Sequence, residues 1–316
     1  MSSPDHRTPL PALAGALAAA AAPPGPVDFT AQTMRMEPRE RRTHLDGAVR
    51  LSRDGMVVTG DRAVVEFAPD DQPPPRKKPR RRGRDETAML GQKLERFTVD
   101  GNVHVQRGNR TADGAHGVYD AKAQTLVLTG DGKEEPVLRD GSETLSGDRI
   151  VMRVDTEDVD VQRPRLVLRR SVPEAKEAPD LPTRVEAVRL SLDRSERLAR
   201  FTDDVVMRRG DMVVRGPRMD ARYDSAGQLT RLHLRGGVEL RQGDRRAVAQ
   251  NADYDARTRE MILTGEPRLF DRGDVLVGER IALQLDSHEV RVERAHGRLR
   301  PEAHQDEARP AAGVKP

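Results

Sequence analysis

"VYDAKAQTLVLTG" (Val118–Gly130) and "DYDARTREMILTG" (Asp253–Gly265) agree at six of thirteen positions in a chain that has only three tyrosines. The third, Tyr223 in "RYDSAGQLTRLHLRG", is also followed by aspartate, and its phrase closes on Gly236. A Tyr-Asp step, a polar turn, an alternating apolar stretch and a glycine read as the end of one strand, a tight reversal and the next strand. Asp120, Asp224 and Asp255 are the turn formers, their carboxylates accepting backbone N–H bonds two residues on. The rings of Tyr119, Tyr223 and Tyr254 are expected against an apolar face near its rim, with their hydroxyls in water.

The repetition extends far beyond these phrases. An offset of 135 lays Arg96–Gly130 on Arg231–Gly265 without a gap, and four extra residues then change the offset to 131, where Glu135–Asp155 faces Glu266–Asp286. Upstream, an offset of 156 sets Asp46–Gly60 on Thr202–Gly216. The chain is a duplication, with β domain 1 at 28–169, a linker at 170–183 and β domain 2 at 184–300. Outside it lie a leader (1–27), an insert (68–91) and a tail (301–316). Within each copy a shorter unit recurs at roughly 32–35 residues, a period that means stacked supersecondary units.

Alternation identifies the unit. Val49-Arg-Leu51, Val103-His-Val105, Leu232-His-Leu234, Val238-Glu-Leu240 and Ile281-Ala-Leu283-Gln-Leu285 place an apolar residue at every second position, the period of a strand buried on one face. "RDG", "RGD", "RGG", "QGD" and "DRGD" punctuate them as hairpin turns. No stretch shows a helical stripe of comparable strength. The fold class is all-β, built of stacked antiparallel sheets.

Composition agrees. Apolar residues are 35%, aromatics 3% and charged residues 34%, so the core is thin and aliphatic and suits one-faced sheets. Absence of cysteine removes disulfide and thiolate chemistry. The net charge of +3 conceals a concentrated basic run, "RKKPRRRGR", whose Arg76, Lys77, Lys78, Arg80, Arg81, Arg82 and Arg84 are candidates for contact with lipid phosphates or an anionic membrane surface. A solvated loop is the alternative for this Pro- and Arg-rich insert. Without aromatic interleaving no nucleic-acid partner is expected. The apolar run Leu10–Ala22 follows Arg7 and is too short for the roughly 20 residues of a membrane span; it reads as a secretory signal or an anchor derived from one, with an Ala-rich disordered leader as the alternative.

Catalytic signatures are missing. The eight histidines lack metal-ligand spacing, and His104 and His233 fall on outward positions. There is no phosphate-binding loop, no nucleophile elbow and no calcium-roll repeat. The expectation is a non-enzyme without cofactors.

"FTVDGNVHVQRGNRTADGAHGVYDAKAQTLVLTG" (Phe97–Gly130) resembles the unit of the OstA-like lipopolysaccharide transport family, the group of LptA, LptC and the N-terminal domain of LptD. "FTAQTMRM" (Phe29–Met36) and "VEAVRLSL" (Val185–Leu192) are similar to the strand that opens that unit. The resemblance covers nearly all of 28–300, in two copies where a typical member has one. It implies a β-taco, two antiparallel sheets hinged into a slit whose inner faces hold lipid acyl chains. It also implies a periplasmic location, lipopolysaccharide as cargo, and pairing of open edge strands with other family members or head to tail with itself.

On the residues alone, a stack of one-faced strands makes a long apolar groove that side chains or a ligand must fill. Acyl CH₂ groups gain about 0.8 kcal/mol each on leaving water. The candidate lining residues in the first copy are Val49, Leu51, Val103, Val105, Leu126, Leu128, Ile150 and Met152. In the second they are Val205, Met207, Leu232, Leu234, Val238, Leu240, Ile262, Ile281, Leu283 and Leu285. An ordinary sandwich core is the alternative for all of them, and with it a scaffold without lipid. An LptC-like, membrane-tethered role is a variant of the transport reading.

Overall fold

The computed structural model describes residues 27–69, 93–169, 181–285, 287 and 289–298. Among these the chain is all strand and turn, with every pairing antiparallel. The basic run 76–84, the leader through residue 26 and the tail from 299 lie outside the described residues.

Four long strands carry the first copy: β3 (Arg42–Arg53), β4 (Met56–Phe67), β5 (Leu94–Arg107) and β6 (Arg110–Asp120). Their counterparts in the second are β15 (Leu198–Arg209), β16 (Met212–Tyr223), β17 (Leu229–Gln242) and β18 (Arg245–Asp255). Each is bent in the middle, so that one half belongs to a first face and the other to a second. The bend has a sequence cause. Two consecutive residues in the left-handed region sit at Gly47/Ala48 (φ 78° and 47°), Gly101/Asn102 (76° and 48°), Asp203/Asp204 (64° and 51°) and Gly236/Gly237 (89° and 99°). Such a pair breaks the ladder and turns the strand without changing which parity points inward: Phe97 and Val99 before the bend, Val103 and Val105 after it, are all buried. The returning strands bend with a one-residue shift instead, so Val58 is inward before it and Ala63 after it. These bulges are a crease shared by both faces.

Shorter strands extend both faces. β2 (Thr33–Glu37) pairs with the first half of β3, and β1 (Asp28–Thr30) with the second. Beyond β6 the first face continues through β7 (Thr125–Thr129), β10 (Arg149–Arg153), β11 (Val159–Gln162) and β14 (Arg189–Asp193) to β15. The second face continues through β8 (Val137–Asp140), β9 (Glu143–Ser146), β12 (Arg165–Leu168) and β13 (Thr183–Glu186), also to β15. Because β6 and β15 belong to both faces, these strands close a circuit of pairings around the join. Past β18 the pattern repeats: β19 (Glu260–Thr264), β22 (Arg280–Gln284) and β23 (Val290–Glu293) on the first face, and β20 (Arg268–Asp271), β21 (Asp274–Val277) and β24 (His296–Arg298) on the second.

The free margins carry two kinds of turn. On the second face they are two-residue hairpin loops, with positive φ at both positions in Asp54-Gly55 and Arg272-Gly273, and at the first in Gly108, Gly141, Gly210 and Gly243; mirror-image turns of this kind match strand twist. "RGG" at 235–237 is not a hairpin turn. It forms part of the crease of β17, where Gly236 replaces a β-carbon that would stand 2.8 Å from Pro217 Cγ. On the first face the margin carries the aspartate turns: Asp120 Oδ1 accepts from Lys122 N (3.0 Å) and Ala123 N (2.8 Å), Asp224 Oδ1 from Ala226 N (2.8 Å), and Asp255 Oδ1 from Arg257 N (2.9 Å). These bonds, Ala123 N foremost for Asp120 and Thr258 N for Asp255, hold both carboxyls below their ordinary pKa.

Candidate functional site

The inner surfaces of the two faces form one apolar interior running through both copies. Leu128 and Ile150, paired across β7 and β10, have no exposed surface, and Val161 and Leu190 continue the same row from β11 into β14. Val49, Leu51, Val103, Val105, Leu126, Val205, Met207, Leu232, Leu234, Val238, Leu240, Ile281 and Leu283 are buried within it. Met152 and Leu285 pack against its edge, half-buried. Ile262 does not join them. It shares a face with Asp253 and Ala282, while Met261 and Leu263 point inward at 1% exposure each. In the run Met261-Ile262-Leu263 alternation alone does not fix parity, but the 135-residue offset does, since it lays Met261 and Leu263 on Leu126 and Leu128.

Side chains pack the interior, and two small cavities open beside it. One, of about 60 Å³, lies at the margin of the first copy, walled by Met56, Val105, Leu126, Leu138 and Met152. A smaller one of about 20 Å³ sits beside Leu240, Leu269 and Leu283. Both fall well below the roughly 300 Å³ at which ligand pockets begin.

Arginines lace the two margins together, a feature the sequence reading missed. Arg53, at the end of β3 on the second face, is buried, and its guanidinium carbon lies 5.8 Å from the ring centre of Tyr119 on the first. Tyr119 in turn stacks on Phe97 with centroids 4.9 Å apart. Contrary to the wet hydroxyl expected, Tyr119 is only 1% exposed, and burial raises its pKa; the Arg53 lid is what removes it from water. Next along the margin, Arg107 Nη1 donates to Val154 O across the opening at 2.5 Å. Arg110 on β6 then donates to Asp140 Oδ2 (2.7 Å) on β8 and to Glu157 Oε2 (2.5 Å) in the turn after β10, joining second face to first. Arg194, in the turn between β14 and β15, reaches Asp140 from the other copy at 3.3 Å. The Arg110 hydrogen bond holds Glu157 below the usual carboxylate range. Burial by itself lowers the Arg110 pKa, yet its two carboxylates carry it above the ordinary value. Mutual pairing of half-buried charges is the reason.

The outer surface is ionic. His104 pairs with Asp113 (2.7 Å), His116 with Asp100 (2.5 Å), and His233 with Asp253 across their strands. Such His–carboxylate pairs are surface stitching, and among the described residues no group of metal-ligating side chains assembles.

Two hinged antiparallel faces enclosing a continuous apolar interior, with end strands that pair on one side only among the described residues, define a β-taco. A family model described as LptA/(LptD N-terminal domain) LPS transport protein matches residues 28–158 and 184–289, and the chain belongs to this family. Similar proteins include the LPS-assembly protein LptD of Pseudomonas savastanoi pv. phaseolicola and of Pseudomonas syringae pv. tomato, each 39% identical over 75 residues. That stretch is 24% of this chain and 8% of either LptD, so the chain matches only a small part of these curated relatives. The crystal structure of LptH, the LptA-homologous periplasmic component of the lipopolysaccharide transport device from Pseudomonas aeruginosa, is similar over 38% of this chain and 96% of its own, with 18% identity and a TM-score of 0.36.

Proposed function

We propose that this protein is a segment of a lipopolysaccharide transport path in the periplasm, holding acyl chains between its two faces and handing the lipid along the slit. The observation that carries the reading is the unbroken inner apolar row, Leu128–Ile150–Val161–Leu190–Phe201, which crosses from one copy to the other. Membership of a family described as transporting lipopolysaccharide supports the choice of cargo. Buried methylenes at about 0.8 kcal/mol each supply affinity without specific polar contacts, so lining residues need only be apolar and mobile enough to part. Met152, Met207 and Met261 among them suit that role.

The ends supply the partners. At the β1–β2 end the inner face is uncovered: Phe29 and Met34 are 46% exposed and Met36 40%. An open edge with apolar side chains beside it is a template for strand pairing with another family member or a second copy. The chain contributes two stacked units to such a bridge.

A scaffold with a dry core is the second reading, favoured by the close packing of the inner row and the small size, about 60 Å³, of the cavity beside it. Photocrosslinking separates them. A photoreactive amino acid at Val105, Leu128, Leu240 or Leu283 is expected to give lipid adducts in cells making lipopolysaccharide, while outward His104 and Arg241 give none. Protein adducts alone at the four inward sites would establish the scaffold instead.

A further inference from the structure

The margin at the join of the two copies gathers four arginines. Arg107, Arg110, Arg153 and Arg194 ring the mouth of the 60 Å³ cavity. Arg110 and Arg194 share Asp140, Arg110 also holds Glu157, and Arg153 lies 3.9 Å from Asp158. Arg107 donates to a backbone carbonyl and lies close enough to attract the Glu157 carboxylate, and Arg194 Nε is buried without a hydrogen-bond partner. A buried N–H donor with no acceptor is costly, so the site gains from an incoming anion. Below these guanidinium groups the wall turns wholly apolar, through Met56, Leu126, Leu138 and Met152.

We propose that this margin is a phosphate port: the phosphate of an anionic lipid takes the place of Asp140 and Glu157 on Arg110 and Arg194, which unties the two faces and admits the acyl chains directly beneath. The proposal rests on the lipid-transport reading and deepens it. A phosphate offers more acceptor oxygens than a carboxylate, and guanidinium groups bind it through paired N–H donors. The phosphate's paired contacts offset the pairing that Asp140 and Glu157 give up as they turn to water, and the exchange falls at the place where it opens the slit. In the second copy Arg245 binds Asp271 at 2.7 Å as Arg110 binds Asp140, and the first-copy margin has in addition Arg194, which reaches Asp140 from across the join.

The test titrates the full chain with a phosphorylated multi-acyl disaccharide lipid, with the same lipid after phosphate removal, and with inorganic phosphate. Replacing Arg110→Gln and Arg194→Gln together is expected to lower the preference for the phosphorylated over the dephosphorylated lipid about ten-fold or more, as loss of charge-assisted hydrogen bonds does; easier entry between the untied faces acts on both lipids and leaves that ratio alone. Asp140→Asn with Glu157→Gln, which frees the arginines, is expected to raise the same preference. Equal effects on both lipids, or no effect of the arginine changes, overturn the port while leaving lipid transport standing. Should the wild type take up neither lipid, the transport reading falls, and the port is then judged by inorganic phosphate: stabilisation of the wild type but not of the double arginine variant upholds an anion site, and its absence removes that too. Thermal melts of each variant separate lost binding from lost folding.

Discussion

Tyr223 shows how a single side chain reveals the packing around it. It ends β16 on the first-face margin, its hydroxyl is buried without a hydrogen-bond partner, and burial pushes its pKa up to about 12. The neutral form is thus favoured in the folded state relative to the unfolded chain, where tyrosine titrates near 10. A raised folded pKa contributes stability that is complete below pH 10 and lost as pH climbs from 10 toward 12. Tyr223→Phe removes the unsatisfied hydroxyl and keeps the ring, so thermal melts should show it as stable as the wild type or more so by about 1 kcal/mol, with a flatter decline between pH 10 and 12. A loss above that size at neutral pH would mean the hydroxyl is bonded after all. The tyrosines also mark the limit of what the sequence discloses. Their place at turns, and the role of Asp120, Asp224 and Asp255, followed from local spacing and hold in the structure. The fate of the Tyr119 hydroxyl did not, because it depends on Arg53, which lies 66 positions earlier in the chain and on the other face.

Strands were legible for the same reason that their creases were half-hidden. Period-two alternation locates Val103 and Val105 as readily as Phe97 and Val99, but not the bend between the pairs, since Gly101-Asn102 reads equally well as an ordinary hairpin loop. "RGG" was misplaced on this account. Ile262 failed through a different ambiguity: three adjacent apolar residues hide the alternation, and the parity is set only by the flanking Glu260 and Thr264 and by the offset that lays Met261 and Leu263 on Leu126 and Leu128. The arginine lacing was invisible, since it needs both margins at once. At the crossing points between faces, glycine is required by contact more than by φ. A β-carbon on Gly147, which links β9 to β10, would stand 2.5 Å from Gln162 O and 2.6 Å from Val161 Cγ1, and the carbonyl is part of a paired strand that has nowhere to move. Gly147→Ala should therefore cost about 1–3 kcal/mol in denaturant unfolding, the range of overpacked sites. Gly132→Ala is the control, because nothing lies within 4 Å of its would-be β-carbon; its cost should be only the left-handed backbone penalty of about 1–2 kcal/mol that its φ of 88° implies. If Gly147→Ala proved neutral, the two faces would be crossing at greater distance than described.

At the scale of the molecule the decisive feature is the join. β11 meets β14 through four residue pairs and β12 meets β13 through four, and on both faces the ladder is as regular there as inside either copy. The inner row is equally continuous, with Val161 at 2% exposure packed between Ile150 of the first copy and Leu190 of the second. In a stack where each unit touches only its neighbours, stability is a sum of unit and interface contributions, and units melt together when the interfaces are strong. Two copies linked only by a tether would show two independent transitions; copies sharing both faces should unfold as one. Calorimetry of the full chain is expected to give a single transition whose calorimetric and van't Hoff enthalpies agree. Val161→Asp places an unpaired carboxylate in the shared row, a cost of several kcal/mol confined to the interface, and should divide that transition into two, with the copies now melting separately. On the transport path proposed above, the same variant would interrupt passage from copy to copy, so crosslinked lipid at Leu128 should persist while that at Leu240 is lost. Two resolved transitions in the wild type, unmoved by Val161→Asp, would instead make the copies independent modules and leave the continuous slit without physical support.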